Sequence, residues 1–345
     1  MHISEFDYEL PAELIAQQPL AQRDASRMLV LNRADQCWVD SEFTGISQHL
    51  RPNDVLVLNN TRVFPARLIG QRDPSGGRVE VLLVRELEPL VWEALVHPGQ
   101  RLKVRARMRF GDSTLQAEVV SVIGGGMRVL RFESDYSLPE VLEQYGETPL
   151  PPYIKRLRGS TSEDRERYQT IYAKSSGAIA APTAGLHFTE RVLEQLKERG
   201  IKITEITLHV GYGTFAPIRV EDTEQHRVAP ESFEISARAA ETINDAHAKG
   251  GRVIAIGTTT TRALESAVND TGQVEGGKQA ATVTITPGYK FRITDALLTN
   301  FHLPRSSLLL LVCAFAGREL VLKAYRHAVK ARYRFYSYGD CMLIL

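Results

Sequence analysis

The feature that most limits the fold of this chain is a series of short alternating runs between residues 62 and 133. Apolar and polar residues alternate within the runs at 66–71, 79–85, 91–96, 101–110, 115–122 and 127–132. Turn sequences such as DPSGG, HPGQ, FGDS and GGG separate them, and no convincing helix interrupts the series. Regularly spaced short strands of this kind are typical of a small barrel or sandwich. We therefore predict an all-β domain at residues 61–149, inserted into a larger domain.

Beyond a proline-rich connection at 149–156, the pattern changes to alternating helices and strands. We predict helices at 189–199, 236–248 and 260–269 and strands at 201–209, 252–256 and 296–300. Such alternation favours an α/β fold with a largely parallel sheet flanked by helices. Residues 1–60 carry a predicted helix at 11–18 and strands at 28–32 and 55–58. We expect them to join residues 150–345 in one core domain.

Bulk properties fit a soluble cytoplasmic protein with two domains. The chain has 345 residues and a net charge of +1, so the overall charge does not indicate a polyanionic partner. Its cysteines, Cys37, Cys313 and Cys341, form no CxxC pair, which argues against a zinc site and fits a reducing compartment. The N-terminus lacks the basic and apolar regions of a signal peptide. The longest apolar run, 308–316, is too short to cross a bilayer and predicts a buried helix.

Two stretches place basic residues on one face. The first alternates cations with apolar residues: Arg101, Lys103, Arg105, Arg107 and Arg109. In a strand these side chains would share a face about 6.6 Å apart, near the spacing of phosphates along a nucleic-acid strand. The second follows a predicted helix at 319–332: Lys323, Arg326 and Lys330. RNA contact and an ordinary solvated face both fit these patterns, and the first pattern alone favours a charged edge strand.

A loop of small residues at 168–189 precedes the first predicted helix of the second segment. It contains Gly177, Gly185 and several alanines and ends with His187 beside Phe188. Small residues let the backbone approach a ligand or another chain segment closely. A ligand-holding loop with a functional histidine and a tight structural turn with a satisfied histidine explain this stretch equally well.

Residues 253–265 predict a strand, a turn at Gly257 and a helix that opens with four threonines. Free N–H groups at a helix start attract anions and polar ligand atoms, and the hydroxyls of Thr258, Thr259 and Thr260 add donors. An ordinary threonine cap would account for one of them. The GxxxxGK sequence at 272–278 is followed by Gln279 and no strand precedes it, so we interpret it as a surface loop rather than a phosphate-binding loop.

Two more histidines follow predicted strands. His209 begins the glycine-flanked end of LHVGYGTF at 208–215, and His302 lies in FHLP at 301–304. Ligand sites in open α/β sheets gather at the carboxyl ends of strands. A lone histidine is usually structural, but three at comparable positions favour a shared pocket that includes His187.

Together and in this order, these stretches resemble the S-adenosylmethionine:tRNA ribosyltransferase-isomerase family of queuosine biosynthesis. The similarity extends from FDYELPAELIAQ at 6–17 to YSYGD at 336–340 and the GDCMLI that overlaps it. It implies an α/β core with an inserted six-stranded barrel. It also implies transfer and isomerisation of the ribosyl part of S-adenosylmethionine onto 7-aminomethyl-7-deazaguanine at the anticodon wobble position of tRNA. The products are epoxyqueuosine in tRNA, adenine and methionine.

The resemblance gives the candidate residues their expected roles. His187 and His209 are candidates for proton transfer, and His302 and Asp340 for catalysis or orientation. Gly257 and the threonines after it, with Gly185, are expected to bind S-adenosylmethionine, a co-substrate that requires no metal or prosthetic group. Glu265 or Asp340 would face the sulfonium, although Glu265 is also placed to pair with Arg262 one helical turn away. With an RNA substrate implied, the basic stretches become expected tRNA contacts of a monomeric enzyme.

The chain departs from the family pattern at several positions. Ala229 stands where a second histidine follows the one matching His226, Tyr212 replaces a smaller residue, Thr286 replaces tyrosine and Cys341 replaces alanine. Two other function classes compete with the enzyme. A non-catalytic RNA-binding protein explains the basic faces but not the small-residue loops, and an RNA methyltransferase would need a glycine-rich first loop after an early strand, which is missing here.

Overall fold

The fold joins a large mixed sheet to a closed barrel in a computed structural model that describes residues 1–157, 159–211, 213, 218 and 220–345. Tyr212 and most of the GYGTF end of the motif at 208–215 lie outside the described residues. The strands are β1 Arg27–Asn32, β2 Cys37–Glu42, β3 Val55–Asn59, β4 Thr61–Val63, β5 Arg67–Asp73, β6 Arg78–Glu88, β7 Val91–His97, β8 Arg107–Phe110, β9 Leu115–Gly124, β10 Met127–Ser134, β11 Ser175–Ala178, β12 Lys202–Leu208, β13 Glu231–Ile235, β14 Val253–Ile256, β15 Gly277–Ala281, β16 Ala296–Asn300 and β17 Cys341–Ile344. The α-helices are α1 Leu138–Tyr145, α2 Ser162–Arg167, α3 Glu190–Glu198, α4 Ala237–Ala248, α5 Thr258–Ala267, α6 Ser307–Ala316 and α7 Arg318–Lys330.

The core sheet has nine strands in the order β15-β13-β12-β3-β14-β16-β17-β1-β2. The four strands β12, β3, β14 and β16 run parallel to one another, and β1 pairs parallel with β17, while β13, β15, β2 and the β16–β17 pair are antiparallel. Strands β3, β14 and β16 are buried along their whole length, because helices and loops cover both faces of the parallel centre. The α/β class is confirmed, but the sheet is mixed rather than largely parallel, since the C-terminal strand returns antiparallel beside β16.

The barrel closes in the order β10-β7-β6-β5-β8-β9, with antiparallel pairing between neighbours. Its interior is filled by alternate side chains such as Leu68, Val81, Leu130 and Phe132, so it is a packed core. Leu138, Val141 and Leu142 of α1 pack against the same core. The expected six-stranded barrel is therefore confirmed, and its strands lie in the sequence between β4 and β11.

The prediction of one strand over 101–110 is wrong. Gly99–Arg101 form a 3-10 turn, the amide of Ala106 donates to the carbonyl of Lys103 at 2.9 Å, and Arg105 has a φ of 70°. Only Arg107–Phe110 is a strand. The alternation of residues persisted through a turn, where it no longer sets the side-chain direction. Arg101, Lys103 and Arg105 therefore do not share a strand face with Arg107 and Arg109.

Two other predicted elements also differ from the structure. The helix expected at 11–18 is only a 3-10 turn at Ala12–Leu14, because the backbone there pairs with the C-terminal loop: Ala16 donates to the carbonyl of Phe335, whose amide donates to Leu14. The interpretation of the GxxxxGK sequence as a surface loop is wrong at its end, because Gly277 and Lys278 begin strand β15. No helix follows them, so the sequence forms no phosphate-binding loop. None of the helices in the described part of the chain is both long and apolar enough to cross a membrane.

A buried ion pair fixes the start of the parallel centre. Asp54, before β3, is 1% exposed, and it accepts bonds from the backbone amides of Arg51 and Arg252 and from the Arg252 guanidinium at 2.7 Å. We expect Asp54→Ala to lower the free energy of unfolding by about 3–5 kcal/mol, because it leaves the guanidinium and two amides without their partner. Urea unfolding followed by circular dichroism measures this, with Asp270→Ala on an exposed turn as the control. An equal stability of the two variants would contradict the assigned role.

Candidate active site

A narrow cavity of about 40 Å³ lies at the carboxyl ends of β14 and β16. Its walls come from segments that are far apart in the sequence. They include the loop at 181–184, the turn at 257–259, residues 299–302, Tyr153, Val210, Leu308, Tyr336 and Ser337. The parallel register explains the convergence, since Ile256 pairs with Leu298 and both strands end at the same edge.

The start of helix α5 forms one wall. Gly257 is its N-cap with a φ of 96°, a left-handed conformation that favours glycine, and its amide donates to the carbonyl of Leu298 at 2.8 Å. Thr258 and Thr259 line the cavity, whereas the hydroxyl of Thr260 donates to the carbonyl of Ile256. The Thr260 hydroxyl is therefore occupied by a backbone carbonyl, and the residues placed to meet a ligand are the first two threonines with their backbone amides.

His302 lines the same cavity and is held on three sides. Its Nε2 lies 2.8 Å from the hydroxyl of Thr299, its amide donates to the hydroxyl of Tyr325, and its carbonyl accepts from Tyr8. Burial lowers the pKa of His302 to about 3, because the interior disfavours the imidazolium. The ring is therefore neutral at pH 7 and is fixed in one orientation.

His187 lies behind the cavity wall rather than on it. Its Nδ1 contacts the hydroxyl of Ser26 at 2.8 Å, and its Nε2 accepts from the side-chain amide of Asn300 at 3.2 Å. Asn300 lines the cavity and accepts a bond from the hydroxyl of Thr183 at 2.9 Å. Burial and the nearby Arg334 charge lower the pKa of His187 to about 4. His187 thus reaches the cavity through Asn300, a residue that the sequence analysis missed although it ends a predicted strand.

A second, wide cleft of about 920 Å³ separates the barrel from the core sheet. His209 is in its wall, with Nδ1 at 2.8 Å from the hydroxyl of Thr61, and burial lowers the pKa of this histidine. Across the cleft the barrel presents Trp92 and Phe64, with ring centroids 5.9 Å apart. Val210 lines both the cleft and the narrow cavity, so the two spaces adjoin.

Two other contacts shape the cleft. A Cβ on Gly177 would lie 2.8 Å from the ring of His209, so glycine is favoured where strand β11 passes the histidine. Arg262 forms a buried ion pair with Glu231, whose other oxygen accepts from the amide of Gly211 at 3.0 Å. The expected pairing of Arg262 with Glu265 is therefore wrong, because Glu231 lies closer across the sheet.

Three expected site residues lie outside both cavities. Glu265 accepts from the amides of Arg292, Ile293 and Thr294 and from the hydroxyl of Tyr289, which occupies its carboxylate. Asp340 accepts from the amides of Arg27 and Arg334, and burial raises its pKa. A Cβ on Gly185 would lie 2.1 Å from the hydroxyl of Tyr172, so this glycine serves close packing. In this structure the two carboxylates bind backbone amides and the glycine permits close packing.

The described departures from the family pattern occupy different places in the fold. Ala229 lines the cleft, and its carbonyl accepts from Arg262 at 3.2 Å. The Nε2 of His226 lies 2.8 Å from the hydroxyl of Ser307, which begins α6. Cys341 is buried in β17, and the carbonyl of Thr286 closes a turn by accepting from the amide of Tyr289. In the described residues, no group of three or more histidine, cysteine or acidic side chains is arranged to hold a metal ion.

The two basic stretches differ in how regularly their cations are arranged on the surface. Lys323, Arg326 and Lys330 are exposed along one face of α7, and no ion pair engages them within the described residues. On the barrel, Arg107 pairs with Glu118, whereas Arg109 is exposed and has no such partner in the described part. The helical stripe is confirmed as a surface feature, while the barrel cations are scattered over a turn and a strand.

Comparison with known proteins supports a family assignment over nearly the whole chain. The family model described as "Queuosine biosynthesis protein" matches residues 3–344. The chain belongs to the queuosine biosynthesis protein family. The chain is also similar to two S-adenosylmethionine:tRNA ribosyltransferase-isomerases, from Halothermothrix orenii at 50% identity and from Desulforamulus reducens at 48%, each aligned over 345 residues and 100% of both chains.

A solved structure has the same architecture as this member of the queuosine biosynthesis protein family. It is the S-adenosylmethionine tRNA ribosyltransferase of Thermotoga maritima, with 36% identity, a TM-score of 0.56 and coverage of 99% of this chain and 100% of that one. The family resemblance and the α/β-plus-barrel fold expected from the sequence are thereby confirmed.

The buried His187 generates a prediction about pH. Its pKa of about 4 in the folded chain lies below the ordinary value of 6.5, so the unfolded chain binds more protons between these values. Stability should therefore fall as pH decreases from 6.5 to 4, by up to about 1.4 kcal/mol per pH unit from this group. Urea unfolding of His187→Gln should show a weaker dependence on pH, whereas the exposed-site control His247→Gln should follow the wild type. An unchanged dependence in His187→Gln would refute the neutral, buried state.

Proposed function

We propose that this protein transfers and isomerises the ribosyl part of S-adenosylmethionine onto 7-aminomethyl-7-deazaguanine at the wobble position of a tRNA. The products would be epoxyqueuosine in tRNA, adenine and methionine. The observation that carries the proposal is the junction at Val210, where a narrow cavity at a helix start meets a wide cleft that Phe64 and Trp92 border. The narrow cavity would take the charged tail of one ligand, and the cleft would take a flat heterocyclic base. Relatives at 50% and 48% identity are named for this reaction.

The narrow cavity suits the amino-acid end of S-adenosylmethionine. The first amides of α5 and the hydroxyls of Thr258 and Thr259 offer donors to a carboxylate. Tyr153 and Tyr336 pack edge to face with centroids 3.9 Å apart, and aromatic faces attract a sulfonium cation. Because the cavity volume is only about 40 Å³, the nucleoside part would extend past Val210 into the cleft.

His209 is the best-placed proton-transfer group. Its Nδ1 is engaged by Thr61, which directs Nε2 away from that contact, and its lowered pKa favours the neutral form that can accept a proton. The positive sulfonium acidifies the neighbouring ribose C5′ hydrogens, so a base in this position can remove one. The acceptor amine must also lose its proton before it attacks. His302 and, through Asn300, His187 would orient the groups around the reacting atoms.

The RNA partner would approach along basic surfaces. Lys323, Arg326 and Lys330 form a cationic stripe on α7, and the chain then leads through Tyr333 to the Tyr336 loop that lines the narrow cavity. Cations at a surface attract the phosphate backbone, and exposed bases stack on aromatic side chains such as Trp92 in the cleft. We place the monomeric protein in the cytoplasm, in keeping with three cysteines that are all free.

The decisive experiment incubates the purified chain with S-adenosylmethionine and tRNA that carries the aminomethyl base. Release of adenine and methionine, dependent on that tRNA, is expected and is measured by chromatography and mass spectrometry. Binding of tRNA without any adenine would favour a non-catalytic RNA-binding protein. S-adenosylhomocysteine in place of methionine would indicate a methyltransferase.

Replacing His209 tests its role in the reaction. We expect His209→Ala to lower kcat by about 10²–10⁴-fold, because this is the usual contribution of a positioned proton-transfer group. The matched control is His247→Ala, on the outer end of α4. Both variants should show wild-type circular dichroism. A wild-type rate in folded His209→Ala would remove this assignment.

A further inference from the structure

A second large concavity, of about 930 Å³, lies on the outside of the barrel, away from the residues assigned to the reaction. It is bounded by strand β5, the start of β6, the turn after β8 and the connection that follows α1. Four arginines line it, Arg67, Arg78, Arg109 and Arg156, together with the carboxylates of Asp112 and Glu147. We call it the arginine groove.

The arginines of the groove fall into two pairs with different duties. Arg67 is neutralised by Glu80 at 2.7 Å and lies near Glu147 at 3.7 Å, and Arg156 is held by the buried Asp164 at 2.6 Å. Arg78 and Arg109 are exposed, and no ion pair or side-chain hydrogen bond engages them in the described part of the chain. In the described residues the groove therefore offers two cations without an ion-pair partner, with the carboxylate of Asp112 at its edge and Glu147 3.7 Å from Arg67.

The strand register sets the positions of the two free cations. Gln71 of β5 pairs with Arg78 of β6 on one side and with Arg109 of β8 on the other. Residues that pair directly across neighbouring strands point to the same face, here the solvent face of the barrel. Two strand spacings put the backbones of Arg78 and Arg109 about 10 Å apart, with the amide of Gln71 between them. The register thus places three side chains in a row on one face: Arg78, Gln71 and Arg109.

This row suits a chain of phosphates. Guanidinium groups bind phosphate oxygens with two parallel hydrogen bonds, and two arginines whose backbones lie about 10 Å apart on one face can each bind a different phosphate of the same strand. Gly76, at the rim, has open space around its Cβ position, so the rim leaves room for a bulky backbone. Arg107, the next outward cation on β8, is paired with Glu118 and does not extend the row.

The groove and the reaction cleft take different parts of the barrel surface. Arg78 begins β6, and the cleft is bordered by residues 84–86 further along that strand. In the closed order β10-β7-β6-β5-β8-β9, strand β8 lies three places from β7 in either direction. Arg109 is on β8, and Trp92 of the cleft is on β7. A polyanion in the groove would therefore be a part of the substrate remote from the reacting base.

We propose that the arginine groove binds the phosphodiester backbone of the tRNA at a site separate from the reaction cleft, with Arg78 and Arg109 each contacting a phosphate. The inference rests on the proposed function for the identity of the RNA. The groove holds the nucleic acid against the barrel while the wobble base occupies the cleft. Its contribution is to affinity, since no groove residue touches the reacting atoms.

The test compares the full chain with the double variant Arg78→Ala/Arg109→Ala in binding and turnover of full-length tRNA. The control double variant, Arg131→Ala/Arg199→Ala, removes the same charge from exposed positions outside the groove. We expect Kd for tRNA to rise about tenfold at 0.1 M salt and the slope of log K against log salt to become shallower by about 1.5, as two phosphate contacts would require. KM for tRNA should rise while kcat stays at the wild-type value, and Arg78→Lys/Arg109→Lys should restore most of the salt slope.

The outcomes separate the groove from the proposed reaction. A Kd and salt slope equal to those of the control variant, in a chain that melts at the wild-type temperature, would overturn the groove proposal even if adenine is released normally. A wild-type chain that binds tRNA with the predicted dependence on Arg78 and Arg109, but releases no adenine, would uphold the groove and refute the reaction. A fall in kcat without a change in Kd would also overturn the groove, because it would mean that these arginines act on the chemistry.

Discussion

The parallel pairing of β12, β3, β14 and β16 is the constraint on which the rest of this structure depends. Parallel strands end at the same edge of a sheet, so the segments that follow them must lie side by side there. Two buried carboxamides lock this edge. Asn59, at the end of β3, donates to the carbonyl of Leu208 at 2.9 Å and accepts from its amide at 3.0 Å, which fixes the chain just before His209. Asn300, at the end of β16, joins His187 to Thr183.

The polar groups at this edge are mostly neutral and mostly engaged. Burial lowers the pKa of His187 and of His302 so far that neither ring carries charge at neutral pH. A charged cosubstrate would therefore meet oriented hydroxyls, amides and aromatic faces rather than a fixed counter-ion. The carboxylates proposed from the family resemblance, Glu265 and Asp340, accept hydrogen bonds from backbone amides. The barrel supplies the opposite wall of the cleft and so completes a site that the sheet alone leaves open.

Much of this was accessible from sequence, and the failures have physical causes. The barrel and the helices of the second segment were predicted because their periodicity reflects one buried face in each element. The strand at 101–110 was wrong because alternation continued through a turn, where side-chain direction follows the local backbone rather than the period of two. The helix at 11–18 was wrong because its backbone pairs with the loop near Phe335, a contact between opposite ends of the chain. Arg262 pairs with Glu231 of β13 rather than with Glu265, because Glu231 is distant in sequence but close in space.

The sequence by itself determined the family, the fold class and the identity of the small-residue loops and histidines, because these depend on local pattern and on motifs read in order. Only the tertiary structure decided which of those residues line the narrow cavity or the cleft. His302, Thr258 and Thr259 line the narrow cavity and His209 the cleft, whereas His187 acts through Asn300 and Gly185 packs against Tyr172. The physical reason is that a side chain's exposure and partners are set by elements from elsewhere in the chain, whose approach no local spacing encodes.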